Sequence, residues 1–510
     1  MTSLDSAPAD LPPIDPPAAV APTNATARRV QSAPIFRESA GIVRQTCEFL
    51  IILAICILLF RTFAAEAYIV PTGSMAPTLL GFHREIPCTN CDYRVFVGID
   101  ERGGSGRPVC PNCGQQGLEP ESGPICNGDR LLVQKFLFDV RPVRRWEVAV
   151  FQSPLEPNQA YVKRVVGLPG ESIEVREGDV WIDGRIARKS LEEQRRIRIP
   201  VFDNDFPPRD HARYPRWVTR AGPPGRTVPS GWTLDGTVLR HRRTDATRPA
   251  PGLGIDWIEY RHWDPDMGRY GPVRDFCPYN GGDLGGDNVV DDLMLTTDLR
   301  VGADVREVRI RIGRGGDTFV VVLPVARSGD AFVQRNGRTL PIGDVHGRLV
   351  ITSPREPGFQ RLEVTVIDRR LIVALDGRPI FEPFDFESNA VGPGPFAGPV
   401  AIGVDGGEVE LRGLRIDRDV YYTSTLSSVP RRPFAIDAPY LLGRDEYFVL
   451  GDNSPVSNDS RFWPESPVVR ASALIGKPFL VHLPGRMFVL EVLGRSLCWI
   501  PDPREIRYIR

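Results

Sequence analysis

The sequence is poor in several things that would have pointed elsewhere. It has almost no net charge: 63 Lys and Arg against 64 Asp and Glu over 510 residues, a formal charge of -1. A chain without a basic field is not built to hold nucleic acid, and no nucleic-acid partner is expected. Nine cysteines in so long a chain exclude a disulfide-dense scaffold. Histidine, the usual catalytic base, occurs only six times: His83, His211, His241, His262, His346 and His482. Long helices are also disfavoured, because Gly and Pro number 49 each and punctuate the chain into turns and short strands. No spacing matches an EF-hand; YNGGDLGGDNVVDD (279–292) reads as plain turns rather than a calcium loop. What remains is the composition of a folded protein, 42% hydrophobic and 25% charged, too long for one ordinary domain.

Five stretches follow. Residues 1–34, rich in Pro, Ala, Thr and Ser without apolar period, are expected to be a disordered cytoplasmic tail. Residues 45–65 contain the uncharged run FLIILAICILLF (49–60) and are expected to form a transmembrane helix, flanked by Glu48 and Arg61. Arg28, Arg29, Arg37 and Arg44 precede it and favour a cytoplasmic N-terminus. The competing readings are a buried core helix and a cleaved export signal, for which AAEA (64–67) resembles a cleavage site. Residues 66–189 and 426–510 share a pattern of short Val- and Ile-rich strands and are expected to be two parts of one β domain. Between them, 190–425 is an insertion. It opens on an Arg/Pro-rich lead-in and continues as many short strands, with Asp376-Gly377 as one hairpin turn. This spacing suggests an antiparallel β-sandwich, similar in pattern to concanavalin- or laminin-G-like domains. The fold class is therefore mainly β. Within the insertion, WIEYRHW (257–263) reads as core and edge packing rather than a sugar platform. The C-terminal LCWIPDPREIRYIR (497–510) is too short and too charged to cross a bilayer.

Cys88-x2-Cys91 and Cys110-x2-Cys113, within a zinc-ribbon-like insert at 86–116, have the spacing of two knuckles that offer four thiolates to a tetrahedral zinc. Two disulfides are the alternative. Either role is structural, since four protein ligands leave no open position. Cys126 is a spare thiol, and Cys47 and Cys56 are apolar fillers of the first hydrophobic segment.

Four segments carry chemistry: YIVPTGSMAPTLLG (68–81), GDRLLVQKF (128–136), YVKRVVGLPGE (161–171) and GDNSPVSNDSRFW (451–463). Ser74 lies in a small-residue turn after a strand, and a serine hydroxyl needs a base to take its proton. None of the six histidines lies in these segments. Lys163 does, on a strand among valines, where loss of solvent disfavours the ammonium and can bring an amine from about 10.4 toward neutrality. Strand alternation sends Arg164 to the opposite face, free to make a structural ion pair. The pairs Gly128-Asp129 and Gly451-Asp452 read as ordinary turn chemistry.

In this order, after an apolar N-terminal segment, the four segments resemble the conserved boxes of type I signal peptidases. The resemblance covers the anchor and about 180 further residues, and neither the cysteine insert nor the long insertion. It implies a membrane-bound serine endopeptidase with a Ser/Lys dyad, Ser74 as nucleophile and Lys163 as base, needing no cofactor for catalysis. Thr72 matches the hydroxyl that helps the Ser74 amide hold the oxyanion, where many relatives have serine. Ser457 matches a hydroxyl that orients the lysine. Asp459 and Arg461 match a supporting ion pair. The implied partners are signal-peptide-bearing precursors cut after small-x-small sites, and the lipid bilayer. The implied place is the bacterial inner membrane, single-pass, with the catalytic domain on the outer, periplasmic face. Ser74 lies nine residues past Ala65, at most about 30 Å of extended chain, which suits work at a bilayer surface. Ile69, Val70, Met75, Leu79 and Leu132 are the candidates to line shallow apolar subsites, with packing in the β core as the alternative for each. The ligand of the inserted domain is unknown. Two rivals are a repressor-type self-cleaving Ser/Lys protease, disfavoured by the absence of a DNA-binding segment, and an inert membrane adaptor whose inserted domain binds carbohydrate or protein.

Overall fold

The computed structural model describes residues 41–59, 65–99, 108–119, 123–210, 213–219, 230–243, 254–281, 286–325, 330–342, 358–387, 398–425, 433–485, 487–492 and 495–509. The tail expected at 1–34 and the strand RLVITS expected at 348–353 lie outside these residues. The chain divides into two compact units, residues 1–58 and 59–510.

The first unit contains the helix Ile42–Leu59. A helix was expected over 45–65 as a membrane span, yet among the described residues no helix is long and apolar enough to cross a membrane. Arg44 and Glu48 pair one turn apart inside it at 2.8 Å, so the uncharged part is Phe49 to Leu59. At 1.5 Å per residue that part is about 16 Å long, half the hydrocarbon thickness. Ala65 already opens a strand.

The second unit is mainly β, and every strand pairing among its described residues is antiparallel. The expected catalytic stretches meet in one eight-stranded sheet. Its order is Ala65–Ile69, Arg130–Gln134, Leu474–Leu483, Val148–Gln152, Ala160–Gly167, Glu446–Leu450 and Val469–Arg470, with Arg507–Tyr508 also on Leu474–Leu483. Strands on both sides of the insertion therefore alternate within a single sheet. A hairpin, Ser172–Arg176 and Asp179–Ile182, turns at Glu177-Gly178, both at positive φ, as a two-residue turn between twisted strands requires.

The inserted stretch builds two larger sheets. One is nine-stranded and centred on Leu293–Val301 and Glu408–Arg418; the other is seven-stranded and centred on Val305–Arg314 and Val400–Gly406. Alternate residues of both, such as Leu293, Leu295, Val308, Ile310 and Ile312, enter one buried cluster. Period-two side chains from two sheets filling one core account for the regular strand spacing read in the sequence. The turn at Asp376-Gly377 has both residues at positive φ.

Candidate active site

Ser74 sits in a single 3-10 turn, Gly73–Met75, just past the edge strand Ala65–Ile69. Lys163 extends from the strand Ala160–Gly167. Its Nζ donates to Ser74 Oγ at 2.5 Å, although the two residues are 89 apart in sequence. Both are buried, at 7% and 4% exposure. They lie on a cleft of about 200 Å³. One wall is Tyr68 to Thr72 and Ser74; the other is Gln159 to Lys163 with Glu156; Leu131, Val150 and Asn458 complete it.

The turn is held from behind. Asn453 donates its backbone N–H to Ser74 O (3.1 Å) and its Nδ2 to Gly73 O (2.9 Å). Gly451 must be glycine, because a Cβ there would lie 2.2 Å from Ser457 Oγ and 2.5 Å from Ser74 O. Arg164, on the opposite face of the lysine strand, is fully buried. It forks onto Asp452 through Nε–Oδ1 (2.7 Å) and Nη2–Oδ2 (2.5 Å). Burial alone would lower the guanidinium pKa; the Asp452 carboxylate outweighs it and holds the pKa up. Thr78, four residues past the serine, donates to the same carboxylate at 2.6 Å. Asp459 and Arg461 form a second fully buried pair at 2.8 Å. Arg461 also donates to Thr423 O and Ser454 Oγ, and Asp459 accepts the Gly451 N–H.

Measured against the residues singled out in the sequence, Ser74, Lys163 and Thr72 share the cleft, and Ile69 and Val70 line it. Met75 and Leu79 do not; both are wholly buried in the core with Val133 and Val481. Leu132 is replaced on the cleft wall by Leu131, its neighbour of opposite strand parity. Ser457 is buried beside Gly451, and its Oγ has no hydrogen-bond partner among the described residues, so it does not hold Lys163 by a hydrogen bond in this arrangement. Two carboxylates read as turn residues prove to be buried anchors. Asp452 pairs with Arg164. Asp129 accepts from Leu80 N, Gly485 N and Arg507. The ion pair expected of Arg164 is thus made, and what the sequence leaves unnamed is its carboxylate, which a guanidinium buried on that face requires.

A second constellation lies in the same unit. Cys88, Cys91, Cys110 and Cys113 are buried and unbridged, with all four Sγ atoms within 4.8 Å of one another. The approaches Cys88–Cys113 (3.5 Å) and Cys91–Cys110 (3.6 Å) are far from a 2.05 Å disulfide. They are close to the edge of about 3.8 Å that four 2.3 Å zinc–sulfur bonds impose on a tetrahedron. The donor set fits a structural zinc. Cys126 is separate: burial pushes its thiol up to about 11.

The family model described as signal peptidase, peptidase S26, matches residues 122–231 and 401–483; Lys163, Asp452, Asp459 and Arg461 fall inside the match, and Ser74 precedes it. The class to which this match points is that of the serine peptidases. Among curated proteins, signal peptidase I of Pseudomonas aeruginosa is 28% identical over 148 residues, 26% of this chain and 36% of that one. Signal peptidase I of Leptolyngbya laminosa is 42% identical over 65 residues, 11% of this chain and 32% of that one. The chain thus spans about a third of the length of these relatives. A solved carbohydrate-binding module of Bacillus subtilis is similar over 40% of this chain and 95% of its own, at 13% identity and a TM-score of 0.23. Over these segments the chain is similar to the signal peptidases, and among them to type I enzymes.

Proposed function

We propose that this protein removes N-terminal signal peptides from exported precursors by a Ser/Lys acyl-enzyme mechanism. The observation that carries this reading is the 2.5 Å approach of Lys163 Nζ to Ser74 Oγ in a buried cleft. Lys163 as the neutral amine takes the hydroxyl proton while Ser74 Oγ bonds to the scissile carbonyl carbon. The Ser74 amide and the Thr72 hydroxyl hold the resulting oxyanion. The C–N bond breaks, and the proton passes from Lys163 to the leaving amine. Water, deprotonated by Lys163, then releases the acyl group. The buried pairs Arg164–Asp452 and Asp459–Arg461 brace the strand that carries Lys163 and the segment 451–461 behind the Ser74 turn, and an extended substrate lies along the cleft wall that begins at Tyr68.

The N-terminal helix serves as a single-pass anchor in the bacterial inner membrane, with the peptidase outside. Its support is the apolar run from Phe49 to Leu58, where Phe49, Ile52 and Leu58 are each about 60% exposed, a surface that lipid would cover. The four cysteines hold a structural zinc, expected at one ion per chain by metal analysis. The two-sheet insertion is a sandwich of the concanavalin or laminin-G kind, for a ligand still to be found.

The test is cleavage of a purified precursor, with the cut mapped by mass spectrometry. Wild type should cut after a small-x-small site and Ser74→Ala should not. A folded wild type without cleavage would favour the inert adaptor.

A further inference from the structure

The inserted stretch reaches the nucleophile. At residues 277–281 the chain leaves the two-sheet body, makes the short turn Pro278–Asn280, and enters the space behind Ser74. Arg418, on the strand Glu408–Arg418, ties this turn to the insertion through Phe276 O at 2.9 Å. On the other side the turn is embedded in the peptidase. Cys277 and Tyr279 share a buried cluster with Ala76 and Leu80. The Tyr279 ring lies against Gly73, where a Cβ would come within 1.9 Å of it, and its hydroxyl donates to Phe82 O at 2.7 Å.

Asn280 makes the consequential contact. It is 2% exposed and exchanges two amide hydrogen bonds with Asn453: Asn280 Nδ2 to Asn453 Oδ1 at 2.9 Å, and Asn453 Nδ2 to Asn280 Oδ1 at 2.6 Å. Gly73 O can only accept, so it sets which end of the Asn453 amide is nitrogen, and the exchange with Asn280 holds the plane of that amide in place. With that end fixed, Asn453 donates its other N–H to Gly73 O. A trans peptide points its C=O and the following N–H in opposite directions. Pinning Gly73 O toward Asn453 therefore turns the Ser74 N–H away from Asn453, as the oxyanion role of that amide requires. Without Asn280, the Asn453 amide loses the two hydrogen bonds that hold its plane and can turn away from Gly73 O.

We infer that Asn280, supplied by the insertion, is a positioning residue for the Ser74 turn and acts through Asn453. The insertion is in this sense part of the catalytic apparatus. The inference rests on the reading of Ser74 as nucleophile.

The test is a double-mutant cycle in the full chain, with kcat and KM measured on a small-x-small precursor. Asn280→Ala should lower kcat about tenfold with KM within twofold, while Asn453→Ala lowers it at least as far. The double variant should be no worse than Asn453→Ala alone. Asn280→Asp keeps the shape but cannot donate to Asn453 Oδ1, and should show the same loss if the alanine variant does not fold. An unchanged kcat in a folded Asn280 variant, or losses that multiply in the double variant, would overturn the inference. A crystal structure of the variant gives a reading independent of turnover. The Gly73–Ser74 peptide should rotate and the Ser74–Lys163 contact lengthen; an unmoved turn would overturn the inference even if wild type proves inactive, whereas inactivity of wild type alone counts against the peptidase reading.

Discussion

The peptidase sheet and the inserted two-sheet body solve the problem of burial in opposite ways. Around Ser74 the interior is charged: Lys163, Arg164, Asp452, Asp459 and Arg461 are all nearly or wholly inaccessible. In the insertion the shared interior is aliphatic and aromatic, and many ion pairs, such as Arg306–Asp405 and Arg242–Glu408, lie at the surface. The insertion buries carboxylates as well: Asp292 and Asp368, facing Asp179, are met by Arg314 and Lys189, and Glu363 and Glu410 by Arg195 and Arg300. A buried ion pair is weak evidence for stability, because apolar residues of equal volume often do as well. Around Ser74 the buried charges surround the reacting pair itself, and what they secure there is geometry more than stability. The insertion, for its part, has the makings of an ordinary stable core.

That contrast can be broken by experiment. The largest effect is expected at Asp452. Its replacement by Ala strands the Arg164 guanidinium in the interior and should cost about 3–5 kcal/mol in denaturant unfolding. Turnover should fall with it, because Thr78 and the serine turn lose their anchor. Ile310→Ala in the insertion core should cost about 2–4 kcal/mol through the cavity it leaves, yet kcat should be unchanged while the protein is folded. Equal losses of turnover in both variants would erase the distinction between the regions. The smallest effect concerns pH. Burial, reinforced by Arg216, lowers the His262 pKa from 6.5 to about 4. The folded state then excludes a proton that the unfolded state binds. Stability from this group is full above about pH 6.5, and declines as pH falls toward 4. Between pH 7.5 and 5.5 the loss should be about 1 kcal/mol. His262→Gln should remove that component of the pH–stability curve.

The meeting of Ser74 and Lys163 was legible because their motifs are local: Ser74 in a Gly-containing turn, Lys163 on a valine-rich strand. Composition held a further clue. The chain has only four lysines among its 63 basic residues: Lys135, Lys163, Lys189 and Lys477. Lys135, Lys189 and Lys477 pair with carboxylates, whereas Lys163 donates to a hydroxyl. In a chain that otherwise uses arginine, a lysine is kept where a side chain must be able to lose its proton. The support of the site was less legible. Asp452 and Asp129 look like turn residues until the sheet brings Arg164 and Arg507 to them. Met75 and Leu79 fit a subsite as well as a core, and their parity in the turn was not determined by pattern. Asn280 could not be found from sequence, since 173 residues separate it from Asn453 and only the return of the insertion joins them.

The central claim is that the amine at 163 is the base for the hydroxyl at 74. It is tested most directly by comparing precursor cleavage by wild type, Lys163→Met and Lys163→Arg, each confirmed folded. Both variants should drop by 10³-fold or more, to the level of the variant lacking the hydroxyl, because neither a thioether nor a guanidinium can take the proton. Cleavage within a few fold of wild type by either variant would contradict the account.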